Sequence, residues 1–402
     1  MKLLWIATKP PIPPHDGGRL VQKLTLEALF EAGAEVTLVA PAPPVEVAAL
    51  EADLAAYCRP RLVPLMPRGL LASLLAARPG GRPFALALHD RRAVRRRVEK
   101  VLAVTAFDAV HAEQLHALSQ AAPAFVRRVP VVLRAQNVES DLWTQTADQA
   151  AAAFTPGLRW EASRLALAEG EAVRRAAAAV ALSVEDAARL GGLAGGVAVE
   201  AIAAPFPSRL PPGEARLAGA PPVVVLGSGG WRPNRDSLLW TCGDVWPAVR
   251  RATPGAVLHV FADAATEVGG DGVVIHPPPD DSAAAFAPGS ILAVPLRVAS
   301  GVRMKILEAW ARGVPVVATP QAAAGLGAVD GRELLLAGDP DAFAAAVARL
   351  GGEPELRARL IAAGHAALAE RHRPAAVAER LLAVYRRVAA RRAVTGTPPA
   401  AV

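Results

Sequence analysis

The stretch ASGVRMKILEAWARGVPVVAT, residues 299–319, places Arg303, Lys305 and Glu308 at spacings that suit an anionic ligand. Ile306, Leu307 and Trp310 form an apolar stripe that predicts a helix over about 302–312, with Arg303 and Lys305 in its first turn. The macrodipole is positive there and disfavours cations by roughly a few tenths of a kcal/mol, unless a bound anion shares them. Ser300 and Gly301 close the preceding loop, and a glycine loop feeding a helix exposes free backbone N–H groups, a ready anion site. Glu308 falls on the side of Met304 and Lys305 by i,i+4 and i,i+3 spacing. From there its carboxylate reaches ligand hydroxyls, or it forms an ordinary surface pair with Lys305 worth about 0.2–0.5 kcal/mol.

A second glycine loop, GSGGWRPN at 227–234, also ends at a helix start and offers Gly229, Gly230, Arg232 and Asn234 to such a ligand. Neither loop carries GxxxxGK[ST] or GxGxxG, which removes the main support for a P-loop NTPase or a simple dinucleotide dehydrogenase. Near the N-terminus, KPPIPPHDGG at 9–18 sets Asp16, Gly17 and Gly18 before a helix. Paired glycines let a backbone approach a ligand, and they equally make a plain tight turn. His111 and Glu113 in DAVHAEQLH follow an apolar strand and either face a ligand or satisfy one another inside the fold. Pro279–Asp281 and the Asp339/Asp341 pair fit a turn and a helix N-cap better than a metal site.

Those loops must be presented by strands, and the chain alternates strand and helix throughout. Leu3–Thr8, a helix through Leu20, Leu24 and Leu29 stopped by Gly33, and Val36–Val39 make a βαβ start. Strand-like runs recur at 62–65, 109–111, 131–134 and 178–182, and after the proline-rich passage 204–222 at 223–226, 257–261, 273–276 and 291–294. This pattern predicts an α/β fold of two doubly wound, Rossmann-like domains facing a central cleft. The expected divisions are 1–208, 209–374 and a last helix from 375 packing back on the first domain, with a frayed tip.

Composition narrows the classes further. At 402 residues and 52% apolar content, the chain favours two or three folded domains, and no run approaches the ~18 apolar residues of a spanning helix. The opening MKLLWIATK fits a buried strand better than a signal peptide. Cys58 and Cys242 stand far apart without a CxxC, so neither a disulfide framework nor a thiolate zinc site is expected, and a cytoplasmic setting is. A net charge of +7 suits anionic ligands or an anionic membrane face, and nothing resembles a nucleic-acid motif. Arg91, Arg92, Arg95, Arg96, Arg97 and Lys100 follow GLLASLLA at 69–76, a combination suited to peripheral docking on the inner membrane face or to a solvated helix face.

Four segments carry a family likeness. GVRMKILEAWARGVPVVAT, preceded by AVPLRVAS, resembles the donor-binding segment of family 4 glycosyltransferases with the GT-B fold, and VVVLGSGGWRPNRDSLLW resembles the opening of their donor domain. PPIPPHDGGRLVQKLTLEAL is similar to their first loop and helix, and RAQNVES at 134–140 to an acceptor-domain loop. The resemblance implies retaining transfer from a nucleoside-diphosphate sugar to an acceptor hydroxyl, without a metal or any cofactor beyond the donor itself. The acceptor would be a lipid-linked sugar, a polysaccharide or a small molecule. In such enzymes the amides matching Val302–Met304 hold the diphosphate and the acid matching Glu308 binds the ribose, with Arg303 and Lys305 as the charge-stabilising cations. Asp16, His111, Gln136, Asn137 and Glu139 would lie on the acceptor side. Three departures stand out. Ser300 replaces the first of two signature glutamates, Ser228 and Pro233 replace the usual donor-loop Arg and Lys, and Gln136 replaces an acceptor-side histidine. Two further readings stay open: a GT-B module that kept the nucleotide cradle and lost turnover, and a nucleotide-sugar epimerase of the same fold.

Overall fold

The computed structural model describes residues 1–66, 81–227, 232–262, 269–279 and 281–394. These form two compact units, Met1–Pro205 with Pro374–Val402, and Phe206–Arg373. The GLLASLLA segment, Ser228, Gly229, Gly230, Asp280 and the tip beyond 394 lie outside the described residues, as does the side chain of Arg232.

The first unit is built on strands β1 (Lys2–Ile6), β2 (Glu35–Val39), β4 (Arg59–Pro60), β6 (Ala109–Glu113), β7 (Val131–Ala135), β8 (Ala178–Ala181) and β9 (Glu200–Ala201), all parallel, in the order β4-β2-β1-β6-β7-β8-β9. A small parallel pair, β3 (Pro41–Ala42) and β5 (Val63–Pro64), stands beside it. Strands covered on both faces need no polar alternation, which is why Leu3, Leu4, Trp5 and Ile6 are all fully buried. Helix α1 (Gly17–Glu31) sends Leu26 and Leu29 into the core, and Gly33, at φ 78°, ends it as the sequence predicts. Further helices are α2 (Val47–Leu54), α3 (Arg92–Val104), α4 (Glu139–Asp148), α5 (Thr155–Arg175) and α6 (Val184–Leu193).

The second unit repeats the plan with β10 (Pro222–Leu226), β11 (Val257–Phe261), β12 (Val273–His276), β13 (Ile291–Val294), β14 (Val316–Ala318) and β15 (Leu335–Leu336), in the order β12-β11-β10-β13-β14-β15. Its helices include α7 (Arg232–Trp240), α8 (Met304–Ala311), α9 (Pro340–Gly352) and α10 (Pro354–Arg371). Trp310 of α8 is 1% exposed and packs where Gly364 of α10 leaves room, since a Cβ at 364 would stand 2.7 Å from the indole. In each sheet the chain winds outward from a central strand and then returns to its other side. The reversal falls between β1 and β6 in one unit and between β10 and β13 in the other, the places where open α/β sheets bind ligands.

After α10 the chain re-enters the first unit as α11 (Pro374–Val394). Val377, Leu381, Tyr385 and Val388 recur at helical spacing, all at most 3% exposed, within the core shared by α1, β1 and β2. Truncating Leu381→Ala should therefore lower the stability of this unit by about 2–5 kcal/mol in denaturant unfolding of the full chain. A loss below about 0.5 kcal/mol, the range of surface substitutions, would show that α11 is not core.

Candidate functional site

At the reversal of the second sheet a crevice opens at the carboxyl ends of β10 and β13, lined by Leu226, Gly227, Asn234, Ser237, Leu296 and Lys305. Two hydroxyls fix the loop that follows β13. Ser237 Oγ donates to the Pro295 carbonyl at 2.9 Å, and Thr319 Oγ1 donates to that of Leu296. With those carbonyls held, the chain turns through Gly301 at φ 72°, a conformation that favours glycine, and enters α8.

Helix α8 begins at Met304, two residues later than the sequence predicts, so Arg303 occupies the N-cap position. A guanidinium cannot accept a hydrogen bond, so Arg303 does not cap the helix with its own side chain. Asp16, Thr319 and Asp339, by contrast, each cap a helix through their own oxygens. Arg303 Nη2 donates to the Ser300 carbonyl, across the loop it closes. Lys305 runs the other way: its Nζ donates to the Leu226 carbonyl at the end of β10. Burial first, and then the neighbouring Arg303 charge, bring the Lys305 ammonium down to about 8.

Glu308 is 8% exposed, and it is not paired with Lys305. Its Oε1 accepts from Ser282 Oγ at 2.6 Å and from Arg312 Nε at 3.0 Å, while Arg312 Nη1 also donates to the Pro211 carbonyl at 2.7 Å. The simple surface pair considered from periodicity is thus replaced by a buried, aimed carboxylate. Asp281 caps the turn that carries Ser282, as expected of a turn residue.

At the reversal of the first sheet, Gly17 opens α1 and Asp16 caps it, accepting from the Arg19 amide at 2.9 Å and from Lys9 Nζ at 2.6 Å. Burial raises the Asp16 pKa, but Lys9 and Arg19 outweigh it and hold the carboxyl below its ordinary value. A Cβ at Gly18 would stand 2.9 Å from Gln136 Oε1, so any larger residue would have to displace that amide. Gln114, at φ 66° and ψ 159°, adopts a backbone conformation nearly confined to glycine, and its Nε2 donates to Gln136 Oε1 at 2.8 Å.

Two expected acceptor contacts belong instead to the interior. His111 is fully buried: Nε2 meets Glu113 Oε2 at 2.9 Å, Nδ1 meets the Tyr385 hydroxyl at 2.7 Å, and Trp5 stacks on the ring at 3.6 Å. Burial lowers its pKa more than Glu113 raises it, so the ring is neutral, with its proton on Nε2 and Nδ1 accepting from tyrosine. Burial works against the Glu113 carboxylate, but Arg134 at 2.7 Å and His111 hold its pKa low. Gln136, 4% exposed, spends its amide on Glu113 at 2.7 Å and on the Gly18 carbonyl at 3.2 Å. Gln136 supports Gly18 from behind, and His111 braces Gln136 through Glu113.

Asn137 and Glu139 are half-buried at the start of α4, where the Asn137 side chain bonds the Glu139 carboxylate. Burial lifts that carboxyl to about 7 against this bond. Sequence reasoning missed Ser282, Arg312, Gln114 and Glu169. Ser282 and Arg312 orient Glu308, while Gln114 braces Gln136.

Residues 221–352, which contain the whole Lys305 crevice, match the family model for glycosyl transferases group 1. No match is found among curated proteins. Among solved structures, sucrose-phosphate synthase from Thermosynechococcus elongatus is similar at 16% identity and TM-score 0.72, over 97% of this chain and 100% of that one. Anabaena HepE in complex with UDP-glucose is similar at 15% identity and TM-score 0.66, over 96% and 100%. A Listeria monocytogenes protein described as a candidate UDP-N-acetylglucosamine 2-epimerase is similar at 13% identity and TM-score 0.57, over 95% of each. The fold is therefore the two-domain α/β arrangement with parallel sheets known as GT-B.

Because the Lys305 ammonium titrates near pH 8 without a ligand, an anion that needs its charge should bind more weakly as pH rises above 8. The affinity for pyrophosphate or UDP should approach a loss of about tenfold per pH unit, with proton uptake on binding. Calorimetry between pH 7 and 9.5 checks this, and Lys305→Ala should weaken binding and flatten the slope.

Proposed function

We propose that the protein is a metal-independent, retaining glycosyltransferase that moves a sugar from a nucleoside-diphosphate sugar to an acceptor hydroxyl. The observation that carries this reading is the placement of Arg303 and Lys305 at the start of α8, inside the segment that matches the glycosyl transferases group 1 model. The Val302–Met304 amides and the two cations take the diphosphate. Charge develops there as the sugar departs, so groups already oriented toward it stabilise the transition state more than the ground state. Glu308 takes the ribose hydroxyls: both of its bonds fall on Oε1, which leaves Oε2 to the ligand. Asn234 completes the donor side from the first turn of α7, together with Gly229, Gly230 and Arg232, and Ser300 meets the sugar through a hydroxyl in place of a carboxylate.

The acceptor side keeps Asp16, Gly17, Gly18, Asn137 and Glu139, with His111 and Gln136 now as supports. A lipid-linked sugar, a polysaccharide or a small molecule would supply the hydroxyl, in glycan or natural-product synthesis. On α3, Arg92, Arg96 and Lys100 stand exposed at i,i+4 spacing, which supports peripheral contact with an anionic, cytoplasm-facing membrane surface. Among the described residues no helix is long and apolar enough to cross a membrane.

One observation favours a second reading, a nucleotide-binding module without turnover: Ser300 leaves the sugar position without its acid. UDP-glucose, the ligand of the HepE complex, is the first donor to test. Release of UDP in the presence of a saccharide or lipid-linked acceptor supports the transferase, whereas UDP binding without turnover across donors and acceptors supports the module. Glu308→Ala should weaken UDP at least about tenfold, or 1.4 kcal/mol, by calorimetry. Unchanged affinity would sink the ribose assignment.

A further inference from the structure

Helix α4 has an N-terminus that its own sequence does not satisfy. The N-cap residue is Val138, fully buried in the apolar core around Leu133, Leu165 and Val173, so no local side chain can accept from the first-turn amides. The missing acceptor comes from another helix. Glu169 on α5, 1% exposed, takes the Glu139 amide at 2.6 Å on Oε1 and the Ser140 amide at 3.3 Å and hydroxyl at 2.5 Å on Oε2. One carboxylate therefore grips the two residues that follow Asn137 and Val138 in the acceptor loop.

A cap alone does not call for a charge at this depth. A neutral oxygen would accept the same amides at a lower desolvation cost. What the carboxyl adds is a second acid beside Glu139. Burial pushes Glu169 up to about 7, the Glu139 charge adds to that, and Glu139 itself stands at about 7. Near neutral pH such a pair retains a proton, so one carboxyl can donate to a hydroxyl while the other accepts. The other charged groups nearby are engaged toward solvent. Asp141 of α4 pairs with Arg189 of α6 at 3.0 Å, and Arg174 of α5 donates to the Leu193 carbonyl at 3.5 Å.

We propose that Glu169 is a positioning residue for the acceptor: from α5 it fixes the first turn of α4, and so aims Asn137 and the Glu139 carboxyl at the acceptor hydroxyl. The proposal rests on the acceptor role given to Asn137 and Glu139 above. No bond is made or broken at Glu169 in the reaction. Its contribution is geometric, through the Glu139 and Ser140 amides and the Ser140 hydroxyl that it holds.

The test compares wild type, Glu169→Ala and Glu169→Gln in transfer from UDP-glucose to the best acceptor of a saccharide and lipid-linked panel, with UDP affinity measured separately. Glu169→Ala should raise the acceptor KM by about tenfold or more, with UDP affinity and kcat at saturating acceptor within about twofold of wild type. Glu169→Gln, which keeps one accepting oxygen, should recover most of that KM but lose its pH dependence between about 6 and 8. Folded variants with a wild-type acceptor KM at every pH, differing only in Tm, would overturn the inference. A wild-type protein that binds no UDP would instead overturn the proposed function, and the inference with it.

Discussion

The second unit is organised around one half-buried cation. Lys305 sits in the first turn of a helix whose dipole opposes it, and its ammonium has turned back to the last carbonyl of β10 rather than forward to Glu308. That contact joins α8 to the strand at which the sheet reverses. Everything beside it follows the same constraint: Ser237 and Thr319 hold the adjoining carbonyls, Gly301 supplies the turn, and Arg303 stands where a cap would normally be. Two cations at a helix start are disfavoured by the macrodipole, so an anion bound there would link binding to local stability.

The first unit solves a different problem, how to hold a glycine loop in place from behind. Its answer is a buried polar chain from Tyr385 through His111, Glu113 and Gln136 to Gly18. Every member has a partner, which is the condition under which a buried network rigidifies rather than destabilises. The terminal helix thus contributes to the glycine loop although it lies more than three hundred residues along the chain.

How much of this was legible in the sequence depended on range. Strands β11, β12 and β13 match their apolar runs residue for residue; β11 and β13 are covered on both faces and read as nearly unbroken apolar stretches, while the edge strand β12 is apolar although Val274 and Ile275 stand exposed. Two-residue strands such as β4, β9 and β15 carry no such signal. Arg303, Lys305 and Glu308 were recognisable as a group from helical spacing, yet their partners were not. Lys305 finds a carbonyl 79 residues away and Glu308 a serine 26 residues away, contacts that only the sheet order creates. His111 was ambiguous for the same reason. Its neighbour Glu113 was visible two residues on, whereas Tyr385 was not. Glu169 escaped because the vacancy it fills, an absent cap at Val138, shows only once the valine is known to be core.

The central claim is that the start of α8 is the diphosphate site. A crystal structure of the protein with UDP tests it most directly. The account predicts phosphate oxygens within hydrogen-bond distance of the Val302–Met304 amides and of Lys305 Nζ, with the ribose on Glu308 Oε2. UDP bound elsewhere, with Lys305 still on the Leu226 carbonyl and the α8 amides unliganded, would contradict it.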